Sequence, residues 1–120
     1  MPRQKANVED VRKIVLALPD AEEVTTPRGT GWKVSGRLLA CQAIHKSAEP
    51  DSLMVRIPPE LRAHLLAENP DAYYVTDHYS KHPAVLVRLS QISRDSLRDL
   101  FEFAWEFVSA KTRKAGRRSK

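Results

Sequence analysis

The sequence predicts one small α+β domain, a two-layer arrangement in which a mainly antiparallel sheet carries helices on one face, in the order α-β(3 or 4)-α-β(2)-α. Three observations carry this expectation. Helical periodicity marks both ends of the chain and a segment in the middle, with short β-prone runs between. Most connections between those runs are too short for parallel crossovers. At 120 residues, the chain is sized for one hydrophobic core.

Each element has its own justification. Asn7 is placed to cap a first helix, Glu9 and Asp10 suit its positive end, and Val8, Val11, Ile14, Val15 and Leu18 recur at helical spacing. Pro19 and Asp20 stop it. Four β-prone runs follow, Glu22 to Thr26, Trp32 to Ser35, Arg37 to Ile44 and Ser52 to Ile57, with Ser35-Gly36 as a tight hairpin turn and Gly29-Thr30-Gly31 read as another turn. Pro58 and Pro59 pre-set a second helix with Leu61, Leu65 and Leu66 on its apolar stripe, ended by Asn69-Pro70. Ala72 to Thr76 and Ala84 to Leu89 read as two more strands, joined by the polar loop Asp77 to Pro83. Ser93 caps a last helix whose apolar face is Leu97, Leu100, Phe101, Ala104 and Val108.

Composition narrows the function classes. No apolar run reaches the roughly 20 residues that span a bilayer, and the N-terminal stretch is too charged for a signal peptide, so no membrane role and a cytoplasmic location are expected. The single Cys41 fits a reducing compartment. The net charge of +5 is local: residues 111–120 hold six of the 20 basic residues and none of the 15 acidic ones, leaving the remainder at −1. A domain over 1–110 and a basic disordered tail over 111–120 are therefore expected. In the tail Lys111, Arg113, Lys114, Arg117 and Arg118 are suited to neutralising phosphates. A solubilising end accounts for them equally well.

Several segments in order resemble the bacterial MmcQ/YjbR family: Gly31-Trp32-Lys33-Val34-Ser35-Gly36-Arg37, Tyr73 to Tyr79, Pro83 to Leu89, and Ala104-Trp105. The likeness covers about residues 8–109. It implies a small α+β domain similar to secretion-chaperone-like folds, and a double-wing DNA-binding role. Where members of that family often carry a Lys and an aromatic after the second-strand Gly, this chain has Arg37, Leu38 and Leu39.

Strand alternation supplies the main candidate surface. Leu53, Val55 and Ile57 share one face and Met54 and Arg56 the other; Val85, Val87 and Leu89 oppose Leu86 and Arg88. If the first sets face the helices, Arg56 and Arg88 lie on an open face, joined by Lys33 and near Tyr73 or Tyr74. Cations beside a ring there would hold phosphates and stack on a base. A two-layer sheet also presents a polar outer face for no functional reason. In the Asp77 to Pro83 loop, His78 and Tyr79 are candidate ligand-binding residues and Lys81 an added cation. His78 and His82 lack the second paired motif of a zinc site. Cys41 and His45 have nothing to orient them as a nucleophile and base. No cofactor fingerprint is present, and Trp32 and Trp105 read as core anchors.

DNA binding without catalysis is thus one expected function. A small protein- or ligand-binding module with a chaperone-like fold is the other, as a monomer or weak dimer.

Overall fold

The computed structural model describes residues 6–27 and 29–118, with side chains as far as Ala110. Asn7 begins helix α1 (Val8–Leu16) as a cap: its side chain accepts from the Asp10 N–H at 3.0 Å, and the Asp10 carboxylate accepts from the Asn7 N–H at 3.1 Å. After α1 the chain reverses at Asp20, whose φ is 62°.

Strands β1 (Ala21–Thr26), β2 (Gly29–Val34), β3 (Arg37–Gln42) and β4 (Ser52–Arg56) follow as an antiparallel meander. Ser35 and Gly36 turn β2 into β3 with φ of 51° and 82°, the two positive values that a type I′ hairpin turn requires. Gly29, Thr30 and Gly31 lie inside β2, which corrects the reading of them as a turn. Pairing holds them there: Thr30 donates its N–H to Gln42 Oε1 at 2.8 Å, and Gly31 lies opposite both Val24 and Cys41.

Helix α2 (Pro59–Glu68) leads to the two-residue β5 (Tyr73–Tyr74), then α3 (Asp77–Ser80), β6 (Ala84–Arg88), a 3-10 turn (Leu89–Gln91) and α4 (Arg94–Arg118). The six strands form one sheet in the order β1-β2-β3-β4-β6-β5 with every neighbour antiparallel. This is the α+β architecture expected from the sequence. Ser93 accepts from the Ser96 N–H at 3.1 Å, as a cap of α4 should. The helical backbone runs on to Arg118, within the segment 111–120 read above as a basic tail.

The core lies between one sheet face and the helices. Trp32, Val34, Leu53, Val55, Val85 and Val87 point at Val11 and Val15 of α1 and at Leu97, Leu100, Phe101 and Ala104 of α4. A β-bulge departs from simple alternation: Trp32 pairs with Ala40 and Lys33 with Leu38, so Leu39 is the extra residue, and Leu39 and Ala40 are both buried in the core.

The opposite face is not open. Met54, Tyr79, Ala84 and Leu86 form a second apolar cluster, flanked by Leu38, Cys41 and Tyr74. The expected polar loop folds into α3, with Tyr79 and Ser80 donating their N–H groups to Thr76 O at 3.0 and 2.8 Å, and this turn sets the Tyr79 ring on the sheet at 9% exposure. Among the described residues no helix is long and apolar enough to cross a membrane.

One polar network ties α1 to the sheet. Glu23 accepts from Arg12 Nε at 2.9 Å and Nη2 at 3.1 Å, and from the Trp32 indole at 3.0 Å. The Arg12 hydrogen bonds lead in holding the Glu23 carboxyl below its ordinary value of 4.5. A carboxyl lowered in the folded state contributes stability that is present above the ordinary carboxylate range and is lost as pH falls through the lowered value. The gap in thermal midpoint between wild type and Glu23→Gln should therefore shrink between about pH 6 and about pH 3. A gap independent of pH would show that the ion pair adds nothing.

Candidate functional site

Two hollows on the second sheet face share Leu38 and Tyr79. The first, 340 Å³, lies over β1, β2 and β3, where Gly31 leaves a shallow floor beside Leu38 and Cys41, with Val24, Lys33 and Ile44 around it. The second, 310 Å³, lies over β4 and is bounded by Met54, Arg56, His78, His82 and Pro83. Tyr79 stands where they meet. Each volume is within the range of small-molecule sites. The linings hold Lys33 and Arg56 but no Asp or Glu.

Tyr79 is positioned by its neighbours. Its hydroxyl accepts the His45 N–H at 3.3 Å, and its ring meets His78 edge-on at 4.8 Å between centroids. His45 and His78 stack at 3.6 Å, with planes 6° apart. Desolvation, then the nearby His45, His82 and Lys81, push the His78 pKa below its ordinary value, so the neutral ring is favoured. The His45 Nδ1 accepts from the Ser47 N–H at 3.0 Å and lies 2.8 Å from Ser47 Oγ, which fixes that ring beside Ser47. Burial pushes the Cys41 thiol up, away from the reactive thiolate. Among the described residues no group of three His, Cys, Asp or Glu side chains is placed to hold a metal ion.

The expected cations separate. Arg56 faces the second hollow, and its Nε is buried with no hydrogen-bond partner among the described residues. Lys33 faces the first hollow, with Glu22 opposite it on β1. Lys81 is exposed at the end of α3.

Arg88, expected as an open-face phosphate ligand, is engaged within the chain. Its Nε and Nη2 donate to the two carboxylate oxygens of Glu49 at 2.9 Å each, and Nη1 donates to Pro70 O at 3.1 Å and Asp71 O at 3.0 Å. Its guanidinium also lies 4.2 Å from the Tyr74 ring centroid. The ring near Arg88 is thus Tyr74. Tyr73 faces the core, where burial, then Asp99 and Glu68, raise its pKa to about 12. Lys111, Arg113, Lys114, Arg117 and Arg118 lie on the α4 backbone beyond the described side chains.

Sequence reasoning missed the first hollow. Its signals were Gly31 inside a strand and Leu38 next to the hairpin, but Leu38 shares a face with Cys41 only because of the bulge at Leu39, which no alternation pattern shows.

Together these features define a class: a six-stranded antiparallel sheet with α1, α2 and α4 on one face and a short helix over part of the other. The crystal structure of Deinococcus radiodurans protein DR2400, with the domain DUF419, shares this fold at a TM-score of 0.73 and 23% identity, over 90% of this chain and 82% of that one. The chain belongs to the YjbR family, whose model matches residues 16–107. It is also 35% identical over 114 residues to uncharacterized protein Rv2570 of Mycobacterium tuberculosis and to uncharacterized protein Mb2600 of Mycobacterium bovis, covering 83% of this chain and 86% of each relative.

Proposed function

We propose that this chain is a non-enzymatic binding domain that holds its ligand in the divided groove of the second sheet face. The observation that carries this reading is the pair of adjoining hollows sharing Leu38 and Tyr79, concave, largely apolar, and set on rigid strands. A binding role without catalysis is supported by the state of its reactive groups. Cys41 is held as a thiol, and His45 Nδ1 is occupied by its neighbour Ser47, whose N–H it accepts at 3.0 Å and whose Oγ lies at 2.8 Å.

Nucleic-acid binding is the second reading, favoured by the helical backbone of the basic segment up to Arg118. A run of cations on a helix neutralises phosphates with little sequence preference. The engagement of Arg88 by Glu49 weighs against the sheet face as part of that interface.

One set of backbone-amide nuclear magnetic resonance titrations tests both. Fragment-sized apolar molecules should shift Gly31, Leu38, Cys41 and Tyr79 together. Gly31→Leu should abolish those shifts, since a Cβ at Gly31 meets only ordinary contacts, at 3.4 Å from Cys41 Cβ, and a longer side chain fills the floor. Shifts scattered elsewhere, or unaffected by Gly31→Leu, would remove the groove reading. Duplex DNA, if bound, should act on residues beyond Ala110, with a log-log salt slope of roughly 0.9 per phosphate neutralised. Equal DNA binding by a chain ending at Ala110 would rule out the basic helix as its source.

A further inference from the structure

We infer that the groove takes a small amphipathic anion, with its charged head beside Arg56 and its apolar body running past Tyr79 toward Gly31; this rests on the groove reading above. The kind of polar group differs along the groove. The hollow over β4 brings the Arg56 guanidinium and the His78 and His82 imidazoles to one place. The hollow over β1 to β3 sets Val24, Leu38, Cys41 and Ile44 around the bare backbone of Gly31, with Thr26, Thr30, Lys33 and Gln42 also in its lining. A ligand spanning both meets the guanidinium and imidazoles at one end and aliphatic side chains at the other.

The sign of the head group follows from what is missing. Among the described residues neither hollow is lined by a carboxylate, so a cationic head would find no counter-charge in the lining. Arg56 rather than Lys33 is the anchor for three reasons. Its Nε is buried and lacks a partner among the described residues, so it calls for an acceptor that those residues do not supply. Its partner across the strand pair is Ala84, whereas Lys33 has Glu22 opposite it. A guanidinium also presents a planar fork that matches a carboxylate or phosphate, which an ammonium does not.

The imidazoles complete the head site. Lowering of the His78 pKa, by desolvation and by the nearby His45, His82 and Lys81, favours the neutral ring, which offers one N–H to an anion. Tyr79 supplies a ring face along which the apolar body passes, held by the His45 N–H on its hydroxyl. The exposed Lys81 on α3 adds positive potential at the mouth.

The probes are decanoate and decanol, which share a chain and differ in head-group charge, titrated near neutral pH against the full chain. Decanoate should bind at least about ten-fold more tightly than decanol, as expected for one charge-assisted fork. Arg56→Met should bring decanoate down to the affinity of decanol and leave decanol unchanged. Arg56→Lys, which keeps the charge if the Met variant fails to fold, should recover only part of the difference. Gly31→Leu should weaken both probes alike. If decanoate and decanol bind equally in the wild type, or if Arg56→Lys matches the wild type, the anion inference is overturned while the groove reading stands. If neither probe binds, the amphipathic anion is lost, and the fragment titration with Gly31→Leu decides the groove itself.

Discussion

Trp32→Ala should destabilise the fold by roughly 3–5 kcal/mol, the range for deleting a large buried aromatic side chain. Trp32 has no exposed surface and sits on β2 facing the core. Two losses combine in this variant. Removing the indole leaves a cavity among Val34, Ala40 and the helices, and it removes the Nε1 donor that Glu23 accepts at 3.0 Å. Against a typical total stability of about 5–15 kcal/mol, a loss of this size would leave a marginal protein. Trp32→Phe should cost much less, since it keeps most of the apolar volume and leaves the Arg12–Glu23 pair intact. Denaturant unfolding is the measurement: the midpoint should fall sharply for the alanine variant with little change in slope. A shift below about 1 kcal/mol would contradict the placement of Trp32 at the centre of the core.

Arg88→Ala should lower the thermal midpoint, because it removes the hydrogen bonds to the Pro70 and Asp71 carbonyls and the Glu49 carboxylate together with the guanidinium packed over Tyr74, although water can replace part of this at exposed groups. The informative variant is Arg88→Lys. A lysine keeps the positive charge but cannot donate to Glu49 and two carbonyls at once, so it should recover less than half of the loss. A phosphate-binding Arg88 predicts the reverse pattern, with Arg88→Lys stable and still competent for DNA. Full stability in Arg88→Lys would show that the clamp between β6, β5 and the segment carrying Glu49 does not hold the fold.

Much of the fold was legible because its signals are local. Asn7 and Ser93 capped their helices as their residue types suggest, and Ser35-Gly36 turned the hairpin. The alternation of Leu53, Val55, Val85 and Val87 correctly told the core face from the other. What failed depends on contacts that no local pattern encodes. The four residues of α3 are too few to show a helical period, and their place is fixed by Tyr79 packing on β4 and β6. Glu49 captures Arg88 across 39 positions of sequence, so composition showed a cation and not its partner. The bulge at Leu39 broke a period of two that the pattern assumes. The candidate site was legible in part: Arg56, Lys33, His78 and Tyr79 do line it, but its concavity arises from Gly31 and from α3, neither of which was read that way.

The same strands that build the core also floor the groove, with successive residues facing opposite ways. On β2, Gly31 and Lys33 look toward the groove while Trp32 and Val34 look into the core. Selection or engineering therefore has two nearly separate dials on one ribbon. Changes at positions 31, 33, 38 and 56 reshape the groove, while positions 32, 34, 40 and 55 fill the core. A family built on this sheet can vary its groove without redesigning its scaffold.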